Sequence, residues 1–179
     1  MNYDDVLSFW FNDIEQEKWW VKDLDFDLYI KDKFLTLHEQ ANNCELFKWR
    51  KSAKGRLAEI IVLDQFSRNI YRDTPKAFSS DQLALALSQE AISLGSHHEL
   101  NQVERSFMFM PYMHSESLLI HDIAVELYKS NGVQSNLEFE IKHRNIIKKF
   151  GRYPHRNIIL NRTSTSDEIE FLKQPGSSF

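Results

Sequence analysis

The sequence holds a single cysteine, Cys44, so no internal disulfide can form and nothing points to an oxidising compartment. A lone thiol of this kind is expected to be an ordinary half-buried side chain, not a nucleophile. Glycine (5) and proline (4) are scarce in 179 residues, which disfavours both a turn-rich β architecture and disorder. No apolar run approaches the roughly 20 residues of a membrane span. The opening Met1-Asn2-Tyr3-Asp4-Asp5 has no basic or apolar leader pattern, so a cytoplasmic location without membrane contact is expected. Also missing are a Gly-rich phosphate loop, a nucleophile elbow, an HExxH pair and paired cysteines. His114 and His121 lie seven apart, roughly 10–11 Å along a helix, too far for two ligands of one zinc. No metal and no cofactor is expected.

What is present is helical signal. Ser79-x-x-Gln82, Asn101-x-x-Glu104, Ser135-x-x-Glu138 and Thr165-x-x-Glu168 resemble N-terminal caps. Gly95, Gly132 and Gly151 follow periodic segments, where helices stop. The spacing predicts helices near 3–11, 25–43, 53–71, 80–94, 102–110, 113–130, 136–150 and 166–173, with Pro111 separating the fifth from the sixth. Ala84, Leu87, Ala91 and Leu94 form a narrow seam suited to helix pairing. The expected architecture is one all-α domain over 1–179, of antiparallel helical hairpins, with about seven or eight helices. Charge is uneven: residues 1–50 carry eleven acids against six bases, and residues 141–162 carry seven bases and no acid. The two ends could steer an anion or neutralise each other in the fold.

Three segments put polar groups where a helical core should be apolar. Helix 53–71 is apolar nearly all round, yet Asp64 and Arg68 sit at i and i+4 on its buried stripe. Two buried charges are costly unless paired and hydrogen-bonded, so they form either an orienting ion pair or the wall of a polar cavity. Glu104 and Arg105 precede Phe107-Met108-Phe109-Met110, followed by His114 and Glu116. The third segment is Phe150-Gly151-Arg152-Tyr153-Pro154-His155-Arg156-Asn157, a short turn rich in donors. Arginine forks suit carboxylate or phosphate.

These segments resemble the bacterial domain-of-unknown-function family 924, placed among TPR-like helical proteins. The resemblance rests on Leu63-Asp64-Gln65-Phe66-Ser67-Arg68-Asn69-Ile70-Tyr71-Arg72-Asp73-Thr74-Pro75, on Glu104-Arg105-Ser106-Phe107 with Pro111 and His114-Ser115-Glu116, and on Phe150 to Asn157 with Arg162-Thr163-Ser164-Thr165. It spans essentially the whole chain. Ser67 replaces an expected proline, and Asp73 and Asn161 replace expected glycines. The resemblance implies a helical-hairpin fold and supplies no reaction.

Two functions follow. In the first, Arg68, Asn69, Arg105, Arg152, Arg156 and Asn157 hold an anionic small molecule or peptide, with Phe107, Tyr153 and tryptophans as apolar walls. In the second, the protein is a hydrolase or transferase in which His114 or His155 is the acid–base and Asp64 or Glu116 orients it or activates water. Nucleic-acid binding by 141–162 is disfavoured by overall acidity. The TPR-like resemblance leaves a protein partner open.

Overall fold

The computed structural model describes residues 1–178. Helix α1 (Tyr3–Ser8) starts at a reciprocal cap between Asn2 and Asp5 and runs into a π turn, Phe9–Asp13. Helix α2 (Leu24–Asn42) is capped by Asp23, whose carboxylate accepts from the amides of Asp25 and Phe26. Its buried Ile30, Phe34, Leu37 and Ala41 follow a helical period, so one face meets the core.

Helix α3 (Ala53–Ile61), a second π turn (Val62–Phe66) and α4 (Ser67–Ile70) form one continuous rod. From Leu57 to Ser67 every residue is buried, which makes it the central helix that its apolar surround predicts. Its first turn presses on the preceding loop. A Cβ on Gly55 would sit 2.1 Å from the Trp49 carbonyl oxygen, so only glycine fits there.

Helices α5 (Asp81–Ser93), α6 (Gln102–Met113), α7 (Leu118–Asn131), α8 (Gln134–Phe150) and α9 (Ser166–Leu172) complete the chain. Counting the α3–α4 rod once gives eight helices and no strand among the described residues. Sequence neighbours joined by short links pack together: α5 on α6, α6 on α7, and α7 on α8. The core gathers around the central rod, where Phe34 and Phe66 lie 4.6 Å apart between ring centres and Trp10 meets Phe66 at 5.5 Å. Among the described residues no helix is long and apolar enough to cross a membrane.

Several local expectations are corrected. Pro111 does not separate two helices. It lies inside the last turn of α6, where it removes one backbone donor but leaves the His114 amide free to close on Met110. The α5 seam is Ala84, Ser88 and Ala91, while Leu94 is 61% exposed. Ser88 belongs there because its hydroxyl donates to the Met108 carbonyl and its small size lets α5 approach α6. The Asn101 and Thr165 caps form, but α5 and α8 start without a side-chain cap. Cys44 is exposed, with φ +58. Among the described residues no ion pair joins the two charged ends. Arg144, Arg152, Arg156 and Arg162 pair with Asp122, Glu168, Asp81 and Glu116, all outside residues 1–50.

Candidate functional site

The second π turn sets the site. A π turn inserts an extra residue and re-aims the side chains around it. Here it buries Asp64 (1% exposed) at the rod's midpoint. The Ser67 hydroxyl donates to the Leu63 carbonyl and Arg68 donates to the Asp64 carbonyl, so side chains satisfy the disturbed backbone. Asp64 accepts from the Gln65 amide at 2.5 Å and meets Nδ1 of His114 at 2.7 Å. Burial alone would push the Asp64 carboxyl up. The Arg68 charge and the His114 ring outweigh it and hold the group well below the usual carboxylate range.

His114 caps the C-terminus of α6, where the helix ends against this carboxylate. Burial and the nearby Arg68 push its pKa below the ordinary histidine value, although Asp64 pulls the other way. The ring is therefore neutral at pH 7. With Asp64 ionised, the proton sits on Nδ1 and the lone pair on Nε2. Nε2 has no hydrogen-bond partner among the described residues, and the side chain keeps 17% of its surface in solvent.

Arg68 reaches 3.4 Å from Asp64 and forks onto Asp81 at 3.1 and 3.2 Å. Asp81 opens α5 and looks, in sequence, like any acid in a first helical turn. Nothing but proximity identifies it as the hub shared by two arginines. The second is Arg156, from the turn after α8, at 3.3 Å. The Arg156 guanidinium lies 4.6 Å from the ring centres of both Phe78 and Tyr153. Its side chain is 8% exposed, and its Nε is buried with no hydrogen-bond partner. Burial and Arg68 both lower its pKa. His155, next in the same turn, is pushed down to about 4 by burial and by Arg156.

Glu116 lies in the link to α7. It accepts a bidentate pair from Arg162 at 2.7 and 2.9 Å and the Tyr153 amide at 2.8 Å, fastening the Arg156 turn to that link. Behind Tyr153, the buried His121 meets Glu140 at 2.6 Å and the Ser115 carbonyl at 2.9 Å, and the Tyr153 hydroxyl donates to the Met113 carbonyl. Sequence reading missed this support because no periodic signal links Glu140 to a loop tyrosine.

The structure thus brings Asp64, Arg68, His114, His155 and Arg156 into one neighbourhood, with Glu116 at its edge. It places other candidates elsewhere. Asn69 donates to Asp27, which also binds Arg72. Arg105 is held by Asn131 and the Leu100 carbonyl. Arg152 forks onto Glu168 at 2.7 and 2.8 Å, and Asn157 donates to Ser164 and Glu168, tying α9 to the turn. Phe107 packs at the far aromatic cluster with Trp10 and Trp19.

The fold and this cluster define an all-α helical-hairpin protein with a carboxylate–imidazole–arginine cluster beside its central rod. The profile of the family described as "Bacterial protein of unknown function (DUF924)" matches residues 6–176, and the chain belongs to that family. It is also similar to a solved structure from Agrobacterium tumefaciens, the protein of unknown function ATU0120. The two share 34% identity over 96% of each chain, with a TM-score of 0.90. No curated protein matches the chain.

Proposed function

We propose that this cluster binds an anionic group, a carboxylate or phosphate on a small molecule or peptide end, with Arg156 as its principal contact and Arg68 beside it. The observation that carries this reading is the state of Arg156. A guanidinium offers five donors, yet this one has a single long bond to an aspartate already forked by Arg68. A buried charged donor left short of partners costs free energy. Stacking between two rings offsets part of that cost and holds the fork's plane fixed. An anion supplied from solvent would complete its hydrogen bonds.

Thermal-shift titration with inorganic phosphate, citrate and a phosphorylated sugar tests this. At least one should raise the midpoint in a saturable way, and Arg156→Met should remove the effect while keeping most of the stacking. No shift from any of the three would sink the reading.

A second reading is favoured by one geometry, the Asp64–His114 pair. A neutral imidazole with Nδ1 fixed by a buried carboxylate and Nε2 unpartnered is arranged as a general base. In this reading the protein is a hydrolase or transferase whose anionic substrate is positioned by Arg156 and Arg68.

A further inference from the structure

A second candidate site lies at the N-terminal end of α6, away from His114 at its C-terminal end, and shares no residue with the Asp64–His114 cluster. A cleft of about 700 Å³ opens between α1 and the first turn of α6. That volume is within the range of small-molecule pockets. One wall is a face of α1 and its π turn. Asp4, Ser8 and Asn12 recur at helical spacing as a polar stripe, beside Leu7 and Phe11. The end wall is Trp19.

Trp19 is fixed in place. Its indole N–H donates to the Trp10 carbonyl at 3.0 Å, its ring stacks on Trp10 at 6.2 Å, and Phe11 meets it edge-on at 5.9 Å. A pre-set aromatic surface loses little entropy on binding. The charged residues lining the cleft are two acids, Asp4 and Glu104, and one base, Lys54. Residues 1–17 include five acids (Asp4, Asp5, Asp13, Glu15 and Glu17) and no lysine, arginine or histidine. The nearest lysines are already engaged: Lys18 with Asp23, and Lys54 with Glu104 on the cleft's other wall. The arginines of the basic stretch 141–162 pair with acids outside this cleft. Among the described residues Asp4 has no ion-pair partner and faces the cleft.

We propose that this cleft binds a small organic amine, with its ammonium at Asp4 and its apolar body against Trp19 and Phe11. A cation is attracted by the Asp4 carboxylate, which has no ion-pair partner among the described residues, and by aromatic faces. The ring-bearing wall and the carboxylate suit a molecule with one apolar and one charged end.

Calorimetric titration with three probes of one shape, phenethylamine, 2-phenylethanol and phenylacetate, tests it. Saturable phenethylamine binding is expected, at least tenfold tighter than for the alcohol or the acid. Asp4→Asn, an exposed and conservative change, should weaken the amine at least fivefold and leave the alcohol unaffected. Phenethylamine should also change tryptophan fluorescence in the wild type and much less in Trp19→Phe. No saturable amine binding, equal affinity for the three probes, or an unchanged amine affinity in Asp4→Asn overturns the proposal. Arg156→Met should leave amine binding intact, because the two sites are separate.

Discussion

At the residue scale, the Asp64–His114–Arg156 cluster is governed by which buried groups have enough partners. Glu116 has many. It satisfies both nitrogens of Arg162's fork and one backbone amide, so Glu116→Gln should cost roughly 1–3 kcal/mol in denaturant unfolding. A loss below a few tenths would show that the link is dispensable. Asp64 has a different role, because its charge and its hydrogen bond both raise His114's affinity for a proton. Asp64→Asn should therefore lower the His114 pKa further, read by NMR titration of the ring. A rise would mean that the Nδ1 proton is not held as described. Asp64, Arg68, His114, His155 and Arg156 could be nominated from sequence because charged residues inside apolar patterns stand out. Asp81 could not, since an acid at a helix start is common and its two arginine partners are 13 and 75 residues away. Arg105 and Arg152 show the converse: an arginine in a polar motif looks available until its carboxylate or carbonyl is seen.

At the element scale, two glycines separate conformational cost from steric cost. Gly151 ends α8 at φ +70, with open space where a methyl would sit, so Gly151→Ala should cost only about 1 kcal/mol from the left-handed backbone. Gly55 has no such strain, but a methyl there would collide with the Trp49 carbonyl. Gly55→Ala should therefore be the more damaging change, measured side by side in urea. Equal losses would mean that the loop carrying Trp49 gives way easily. One π turn lies beside Asp64 and the other at the cleft beside Phe11. Helix existence was legible from period and caps. The π turns were not, because one inserted residue barely disturbs an apolar pattern that is continuous all round.

At the scale of the whole molecule, buried histidines set the response to acid. Burial lowers His38 and His155 to about 4 and His143 to about 3. Between those values and the ordinary histidine range, the unfolded chain binds more protons than the folded one, so stability falls as pH drops from about 6.5 towards 4. For His38 alone the shift corresponds to roughly 3 kcal/mol. Calorimetric melting should show the midpoint falling steeply from pH 7 to 4, with a shallower slope in His38→Asn. A flat profile between pH 7 and 5 would contradict this. Asp64 acts lower still. Its depressed pKa contributes stability above the unfolded carboxylate range and loses it only at more acidic pH.

The sequence by itself determined the all-α class, the helix set, the glycine stops and the family, because period, caps and motif order are local properties of the chain. It also marked the three segments that carry the polar cluster. Only the tertiary structure decided which of their charges meet. Pairing depends on distances between helices far apart in sequence, so Asp64 found His114 and Arg68, and Asp81 became the hub of two arginines. The same long-range packing sent the C-terminal bases to partners other than the N-terminal acids. That left Asp4, among the described residues, without an ion-pair partner at the cleft beside Trp19.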